Sequence, residues 1–533
     1  MNVLMLYPKF PDETFWNATP SARRFMHRPG LMPPLGLLTI ASYLPDDFEV
    51  RLVDRNLAPE SGADWEWADV AFISLMMAQQ ADYEVCLAEA RRQGTPVAIG
   101  GPFTHAFPER SVADADWVCF GEAEDVMDAF VSDLRAGRRG VSYHGGSKTN
   151  METVRLPRFD LLPDLNAYVT MPLQFSRGCP FQCEFCDIIE IYGRVPRTKK
   201  PEQIFTELAA LKRIGFDGYV FLVDDNFIGN KARAKVLLKA LAGWNADNGH
   251  PFRFYTEASI NLADDQELLE ALPRANFFMV FIGIETPDPK LLKTTLKFQN
   301  VPGDPLQKLG RIREHGVHIT AGFIIGFDGE ERGIFDVQRA FIRDSGIGVA
   351  MPGLLQALPH TQLSERLEKE GRLLKAIMSG ISTMEGINFV PKGEMTKREY
   401  LERYMELVVD IYAPAAYFGR IVPALLALRR TVSPRIWGSG LLGFLRLILH
   451  LGFTAKDGKG AFWKAFARVL FANPQALEAF AFDCYYYHHL HHHAAYVQGE
   501  LRRYLAAPPA EDVLDAVRSP EAPPDLAAAA SGA

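Results

Sequence analysis

Cysteine is scarce in this chain, with six in 533 residues. That density excludes a disulfide-stapled secreted domain, and three of the six fall inside eight residues, a grouping that belongs to metal chemistry in a reducing cytoplasm. A basic excess is missing as well. The formal net charge of −8 leaves no broad cationic face for a phosphate backbone, which argues against nucleic acid as the main partner. Neither G-x-G-x-x-G nor the P-loop pattern occurs, so no nucleotide fingerprint competes for the N-terminal region. No basic segment precedes the first apolar run, and residues 1–8 read as a buried strand, not as a signal peptide. Long uncharged apolar runs are also lacking. Residues 436–453 come nearest, but Arg446, His450 and internal glycines interrupt them, which argues against a spanning helix. The segment is expected to be a core helix of a C-terminal domain. Its flanks (Arg429, Arg430, Arg435, Lys456, Lys459, Lys464, Arg468) leave a second reading open, a basic-edged apolar surface for a membrane or an apolar substrate.

A chain of this length exceeds one hydrophobic core, so several domains are expected. Apolar β-type runs at 2–8, 49–56, 70–76, 96–102 and 117–124 alternate with helical stretches. That alternation predicts a doubly wound parallel sheet, Rossmann-like, over residues 1–136. Ligands of such sheets sit at the carboxyl ends of the strands. Here those ends supply Ser74, Met76, Met77, Gly100, Gly101, Pro102, Gly121 and Glu122. A polar stretch, 137–170, reads as a linker. Six further strands, at 171–177, 218–225, 253–259, 277–285, 318–327 and 348–356, predict a partial (β/α)6 barrel over 171–390, with its chemistry at the strand ends. Residues 391–505 read as a helical domain, with helices at 397–411 and 464–490, and the Ala- and Pro-rich 506–533 as a disordered tail.

The cysteine group reads Ser176-Arg177-Gly178-Cys179-Pro180-Phe181-Gln182-Cys183-Glu184-Phe185-Cys186-Asp187, a C-x3-C-x2-C spacing just after the first barrel strand. Three thiolates this close repel one another unless a metal or cluster holds them, and no other Cys or His lies within six residues to close a zinc site. Three ligands leave one iron of a four-iron cluster open. The motif resembles that of the radical S-adenosylmethionine (SAM) superfamily, including the aromatic Phe185 before the last cysteine. By that resemblance Cys179, Cys183 and Cys186 hold a [4Fe-4S] cluster whose open iron binds SAM, and an electron from a flavodoxin- or ferredoxin-like reductant cleaves it to a deoxyadenosyl radical. Phe185, Asp224, Glu257, Ser259 and Glu285, at successive strand ends, are the implied SAM contacts. Taken singly, each acid also suits a capping or structural role.

A Rossmann-like domain ahead of such a barrel resembles the cobalamin-binding radical SAM methyltransferases, closest to the subgroup of hopanoid C-2 methylases. The matching stretches are Pro33-Pro34-Leu35-Gly36-Leu37-Leu38, the cysteine run, Tyr192-Gly193-Arg194-Val195-Pro196-Arg197 and Asn388-Phe389-Val390-Pro391-Lys392. One departure is that His27-Arg28-Pro29-Gly30 gives half of a D-x-H-x-x-G cobalt-ligand motif, while Phe25 stands in place of the Asp that would orient the imidazole. The resemblance implies cobalamin bound without a protein imidazole, with residues 74–77 under the corrin. It also implies methylation of an unactivated carbon, where no side-chain base could work. The acceptor is expected to be hydrophobic, a hopanoid-like lipid or a tetrapyrrole. Two alternatives stay open: a cobalamin-dependent radical cyclase or rearrangement enzyme, and a corrinoid or redox sensor without turnover. The run His488, His489, His491, His492, His493 sits in a helical segment and predicts a packed or exposed helix over a metal site. Cys86, Cys119 and Cys484 are isolated, and Cys119, in an apolar strand, reads as a small packed hydrophobe; residues 355–359 read as a strand end that either packs or lines the substrate pocket.

Overall fold

The computed structural model describes residues 1–145, 149–374, 386–429, 438–508 and 514–516. Most of the expected tail, together with Arg430, Arg435 and residues 436–437, lies outside the described residues. The chain divides into two compact units, the first of residues 1–12, 27–180 and 187–256, the second of 13–26, 181–186 and 257–533.

In the first unit, strands β1 (Asn2–Tyr7), β2 (Glu49–Asp54), β3 (Val70–Ser74), β4 (Val97–Gly100), β5 (Trp117–Phe120) and β6 (Val141–His144) form a parallel sheet ordered β2-β1-β3-β4-β5-β6. Val3, Leu4, Met5 and Leu6 are fully buried, which explains the unbroken apolar run: a sheet covered on both faces has no polar side. Helix Gln80–Gln93 supplies Tyr83, Cys86, Leu87 and Ala90 to this core, and Gly94 closes it in the left-handed conformation. The sixth strand falls in the stretch that the sequence assigns to the linker. It is short, with two of its four side chains exposed, so it carries no apolar signature, and only its pairing with β5 makes it a strand.

The next strands of this unit are β7 (Thr170–Leu173), β8 (Ser176–Arg177), β9 (Arg197–Thr198), β10 (Gly218–Leu222) and β11 (Phe252–Ala258). β7, β10 and β11 pair in parallel in that order. The single strand expected at 171–177 is in fact two. The chain leaves the ladder after Leu173, and β8 turns away to pair antiparallel with β9.

In the second unit, β12 (Phe277–Glu285), β13 (His318–Ile325) and β14 (Ala350–Leu354) pair in parallel in that order. Helices Lys397–Ile411, Pro414–Ala427, Gly438–Leu449, Lys459–Ala472 and Leu477–Ala506 follow. The first begins in a capping box, Thr396 with Glu399. Its Tyr404 hydroxyl donates to Pro352 O of β14 at 2.9 Å, and Asp483 of the last helix meets His318 of β13 at 2.9 Å. The helix expected at 464–490 is two helices. Asn473 leaves helical geometry and Pro474, which has no N–H, starts a new turn.

Gly121, just past β5, has φ +75°, and an added Cβ would collide with Gly145 O. Gly121→Ala is expected to lower stability by about 1–3 kcal/mol through strain and displacement of the β6 end. An unchanged thermal unfolding midpoint would show that this turn relaxes freely.

Candidate active site

Where the chain leaves β7 it exposes backbone donors that a buried site must satisfy. The segment after β10 supplies the acceptors. Asp224, 1% exposed, accepts on Oδ1 from the N–H groups of Phe175 (2.7 Å) and Ser176 (3.0 Å), and on Oδ2 from the Ser176 hydroxyl (3.0 Å). Asp225 accepts from Gly178 N–H at 2.8 Å, and Asn226 Nδ2 lies 3.9 Å from Cys179 Sγ. Burial pushes Asp224 up to about 7 and Asp225 up to about 6, against the opposing pull of these N–H donors. Gly178, at φ +92°, allows the close pass of Gly193 O, which accepts from Cys179 N–H at 3.2 Å. The sequence places Asp224 against SAM. In the fold both of its oxygens accept from the root of the cysteine loop.

The same root is fastened by an ionic knot. Arg177 pairs with Glu122 (2.7 Å) and Glu124 (2.6 Å), and Arg197 with Glu122 (2.6 Å). Burial works against the charged Arg177, and Glu124 and Glu122 outweigh it, so its pKa is raised. Glu122, expected as a cobalamin contact, has a side chain with no solvent exposure and both arginines on it. The other residues of that expectation fit a ligand cradle. Gly101 has φ +94°, and a Cβ there would lie 2.8 Å from Leu75 O and 2.9 Å from Ser74 Oγ. Met76 is 48% exposed, and its N–H is held by Gln79 Oε1 at 2.8 Å. Gly100, Pro102 and Met77 flank this cradle in the chain and are half-buried. In the second unit, Phe25 is buried against His488, so it packs where an orienting acid would stand.

The second unit holds the other two cysteines. Cys183 is buried and receives Gln299 Nε2 at 3.5 Å. Glu184 stitches the loop outward: its N–H donates to Thr295 O (3.1 Å), its O accepts from Leu363 N–H (2.8 Å), and its carboxylate meets Arg366 (3.0 Å), which also reaches Asp328 (2.7 Å). At the end of β12 the register shifts between Gly283 and Glu285, and Glu285 takes φ +64°. Such a bulge re-aims a side chain. Asn300 satisfies the carbonyls of Gly283 (2.8 Å) and Ile284 (3.1 Å), and the Glu285 carboxylate pairs with the buried Lys297. Lys297 Nζ stands 5.9 Å from the Phe185 ring centroid, and Phe185 lies 5.8 Å from Phe327. Burial opposes the Lys297 charge, and Glu285, Cys183 and Cys186 outweigh it, raising its pKa.

Of the remaining strand-end residues, Ser259 is buried and donates to Asn261 Oδ1 at 2.6 Å, and Glu257 is half-buried. Ala357 is held on both backbone groups by Asn388, at 2.8 and 3.1 Å, so the 355–359 strand end is fixed by the matched 388–392 stretch. Glu330, which the sequence did not single out, is 2% exposed, accepts from Gly326 N–H at 2.8 Å and is pushed by burial up to about 8. Lys297, Gln299, Asp225 and Asn226 were also missed. Asp225 and Asn226 adjoin a quoted acid, whereas nothing in spacing marks Lys297 or Gln299. The histidine run is packed, as expected: His488 Nδ1 meets Ser21 Oγ (2.8 Å), His489 Nε2 meets Thr14 O (2.8 Å), and burial holds His488 near 2 and His493 near 3, uncharged. Among the described residues no three His, Cys, Asp or Glu side chains converge at metal-ligand spacing. The fit of a cluster therefore rests on the donor chemistry: three thiols within eight residues, an amide donor on Cys179 and another on Cys183, and a lysine charge beside Cys183 and Cys186.

Residues 25–131 match the B12 binding domain, 173–336 the radical SAM superfamily and 361–502 a domain of unknown function. An uncharacterized methyltransferase of Synechocystis sp. is 39% identical over 98% of both chains. The hopanoid C-2 methylase of Rhodopseudomonas palustris is 40% identical over 64% of this chain and 66% of its own. In fold, the chain resembles the cobalamin-dependent radical enzyme OxsB (TM-score 0.58, 15% identity, 95% of this chain and 80% of that one). It also resembles the methyltransferase TsrM of Kitasatospora setae (TM-score 0.57, 17% identity, 70% and 79%). The chain belongs to the cobalamin-dependent methyltransferases of the radical SAM superfamily. Its cofactors are a [4Fe-4S] cluster, SAM and cobalamin.

Two substitutions probe the site without turnover. Lys297→Met strands Glu285 as an unpaired buried carboxylate and is expected to cost about 3–5 kcal/mol, most of it recovered in Lys297→Met/Glu285→Gln; equal losses in both variants would deny the pair. Glu330 has a folded pKa of about 8, above its ordinary 4.5. Its contribution to stability is therefore fully present below 4.5 and lost as pH rises through 8. Denaturant unfolding of wild type against Glu330→Gln is expected to favour wild type progressively less across that window, and a constant difference would refute the shift.

Proposed function

We propose that this protein methylates an unactivated carbon of a polycyclic, hydrophobic acceptor of the hopanoid type. The observation that carries this reading is the 40% identity to the hopanoid C-2 methylase, against 24% to a bacteriochlorophyllide methyltransferase of Chlorobaculum tepidum, which weighs a triterpenoid over a tetrapyrrole.

The cluster with SAM supplies hydrogen abstraction from a carbon that no general base could deprotonate, and cobalamin supplies the methyl group. The residues of this chain do the positioning. Cys179, Cys183 and Cys186 would ligate three irons. Lys297 would offset part of the thiolate charge, while Gln299 and Asn226 direct amide N–H groups at sulfur. Phe185, the Glu285–Lys297 pair, Glu257 and Ser259 would border SAM, and the loop Ser74–Met77 with Gly100, Gly101 and Pro102 would seat the corrin. Asp224, Asp225 and the Arg177 knot would hold the loop root in place.

The test is anaerobic purification from cobalamin-supplied cells, assay of iron and cobalt, and reaction of a pentacyclic triterpenoid with trideuteromethyl-SAM under reductant. The expected product carries one deuterated methyl in place of hydrogen, and Cys179→Ala, Cys183→Ala and Cys186→Ala lose both iron and product. Iron without cobalt would sink methyl transfer through cobalamin. A product rearranged at unchanged carbon count, or methylation of a small polar molecule alone, would sink the acceptor reading.

A further inference from the structure

The helix Gly438–Leu449 was expected to be buried, and it is buried on one side only. Leu447 and, in the π-helical turn after it, Leu451 are in the core. On the other side Leu441 (47%), Leu442 (54%), Leu445 (48%), Leu449 (58%) and Phe453 (60%) are exposed. The four leucines fall within about 100° of the helix circumference, since positions four apart differ by about 40°. They therefore form a continuous apolar stripe. The neighbouring helix Lys459–Ala472 packs on this one through Phe444 with Phe466 and Phe453 with Trp463, and it exposes Phe471 at 84%. Exposed large apolar residues are ordinary singly, whereas a contiguous stripe marks a partner.

Charge identifies the partner. The whole chain carries −8, yet residues 438–472 hold five basic side chains and one acidic, Asp457. Lys456, Lys459, Lys464 and Arg468 are exposed, and Asp457 meets His491 at 3.4 Å. Lys464, Arg468 and Phe471, at i, i+4 and i+7, share one face of their helix. Lysine is depleted in protein–protein interfaces and enriched beside apolar faces that lie on anionic lipid. No helix among the described residues is long and apolar enough to cross a membrane, so this stripe would lie in the surface of one.

We propose that helices Gly438–Leu449 and Lys459–Ala472 form a docking face for an anionic bilayer, the leucine stripe and Phe453 entering the headgroup–acyl boundary with the lysines and Arg468 against lipid phosphates. This assigns a role to part of a region matched only to a domain of unknown function. The bilayer is the partner of this surface and not the substrate of the site, so the inference stands or falls apart from the acceptor reading.

The test uses the full chain and vesicles of phosphatidylcholine with or without phosphatidylglycerol, free of any triterpenoid. Wild type is expected to co-sediment with the anionic vesicles, more weakly with the neutral ones and less as salt rises. Leu445→Glu/Leu449→Glu is expected to abolish binding at an unchanged unfolding midpoint. Lys464→Gln/Arg468→Gln is expected to weaken it about fivefold per charge removed and to flatten its salt dependence. Absence of wild-type binding to anionic vesicles, or binding indifferent to both double substitutions, overturns the proposal. So does a wild-type dimer in light scattering that Leu445→Glu/Leu449→Glu dissociates, which would give the stripe to a second copy.

Discussion

A cysteine loop that presents three sulfurs from an irregular stretch of backbone leaves N–H groups without partners, and everything near it in the first unit is arranged to satisfy them. Asp224 and Asp225 take four donor contacts from residues 175–178, and Gly193 O takes the Cys179 N–H. Burying two adjacent carboxylates is costly, which is why both pKa values rise, and the N–H donors of the loop offset that cost. Arg177, two residues before Cys179, is held by Glu122 and Glu124 from the end of β5. A residue of the segment expected to carry a cofactor is thereby tied to the residues that root Cys179.

The second unit solves the same problem with different groups. Its part of the loop is anchored through both backbone groups and the carboxylate of Glu184. A bulge with a left-handed Glu285 turns that carboxylate to Lys297. Strain of this kind persists only where the surroundings over-determine it, and Asn300 and Gln338, which donates to Glu285 O at 3.0 Å, do so here. A lysine charge beside Cys183 and Cys186 lowers the repulsion among thiolates that the sequence spacing alone imposes.

The C-terminal helices show how one composition serves two environments. The stretch around residue 440 is apolar enough to be read as core, and half of it is core. The histidine run, by contrast, has the composition of a metal site and packs in the helical core, the imidazoles of His488 and His493 kept neutral by burial against Phe15, Phe25 and Ser21.

Chain order, local periodicity and the C-x3-C-x2-C spacing determined the architecture: apolar runs alternating with helical stretches predict parallel strands covered on both faces, and three close thiols predict a metal-binding loop. Five of the six strands of the N-terminal sheet and the parallel series after it were legible for that reason, as were the glycines at strand ends. Tertiary structure alone decided which acid does what. Asp224 and Glu122 read as ligand contacts in sequence because strand-end acids face open ends of sheets, and in the fold their oxygens also accept from loop donors and arginines far away in the chain. Strand β6 and the pairing of Lys297 with Glu285 escaped notice for the same physical reason, whereas the break at Asn473 is marked in the sequence by Pro474. The strand and the pair each depend on a partner brought near by folding, and hydrogen bonds and ion pairs leave no periodic trace in sequence as apolar burial does.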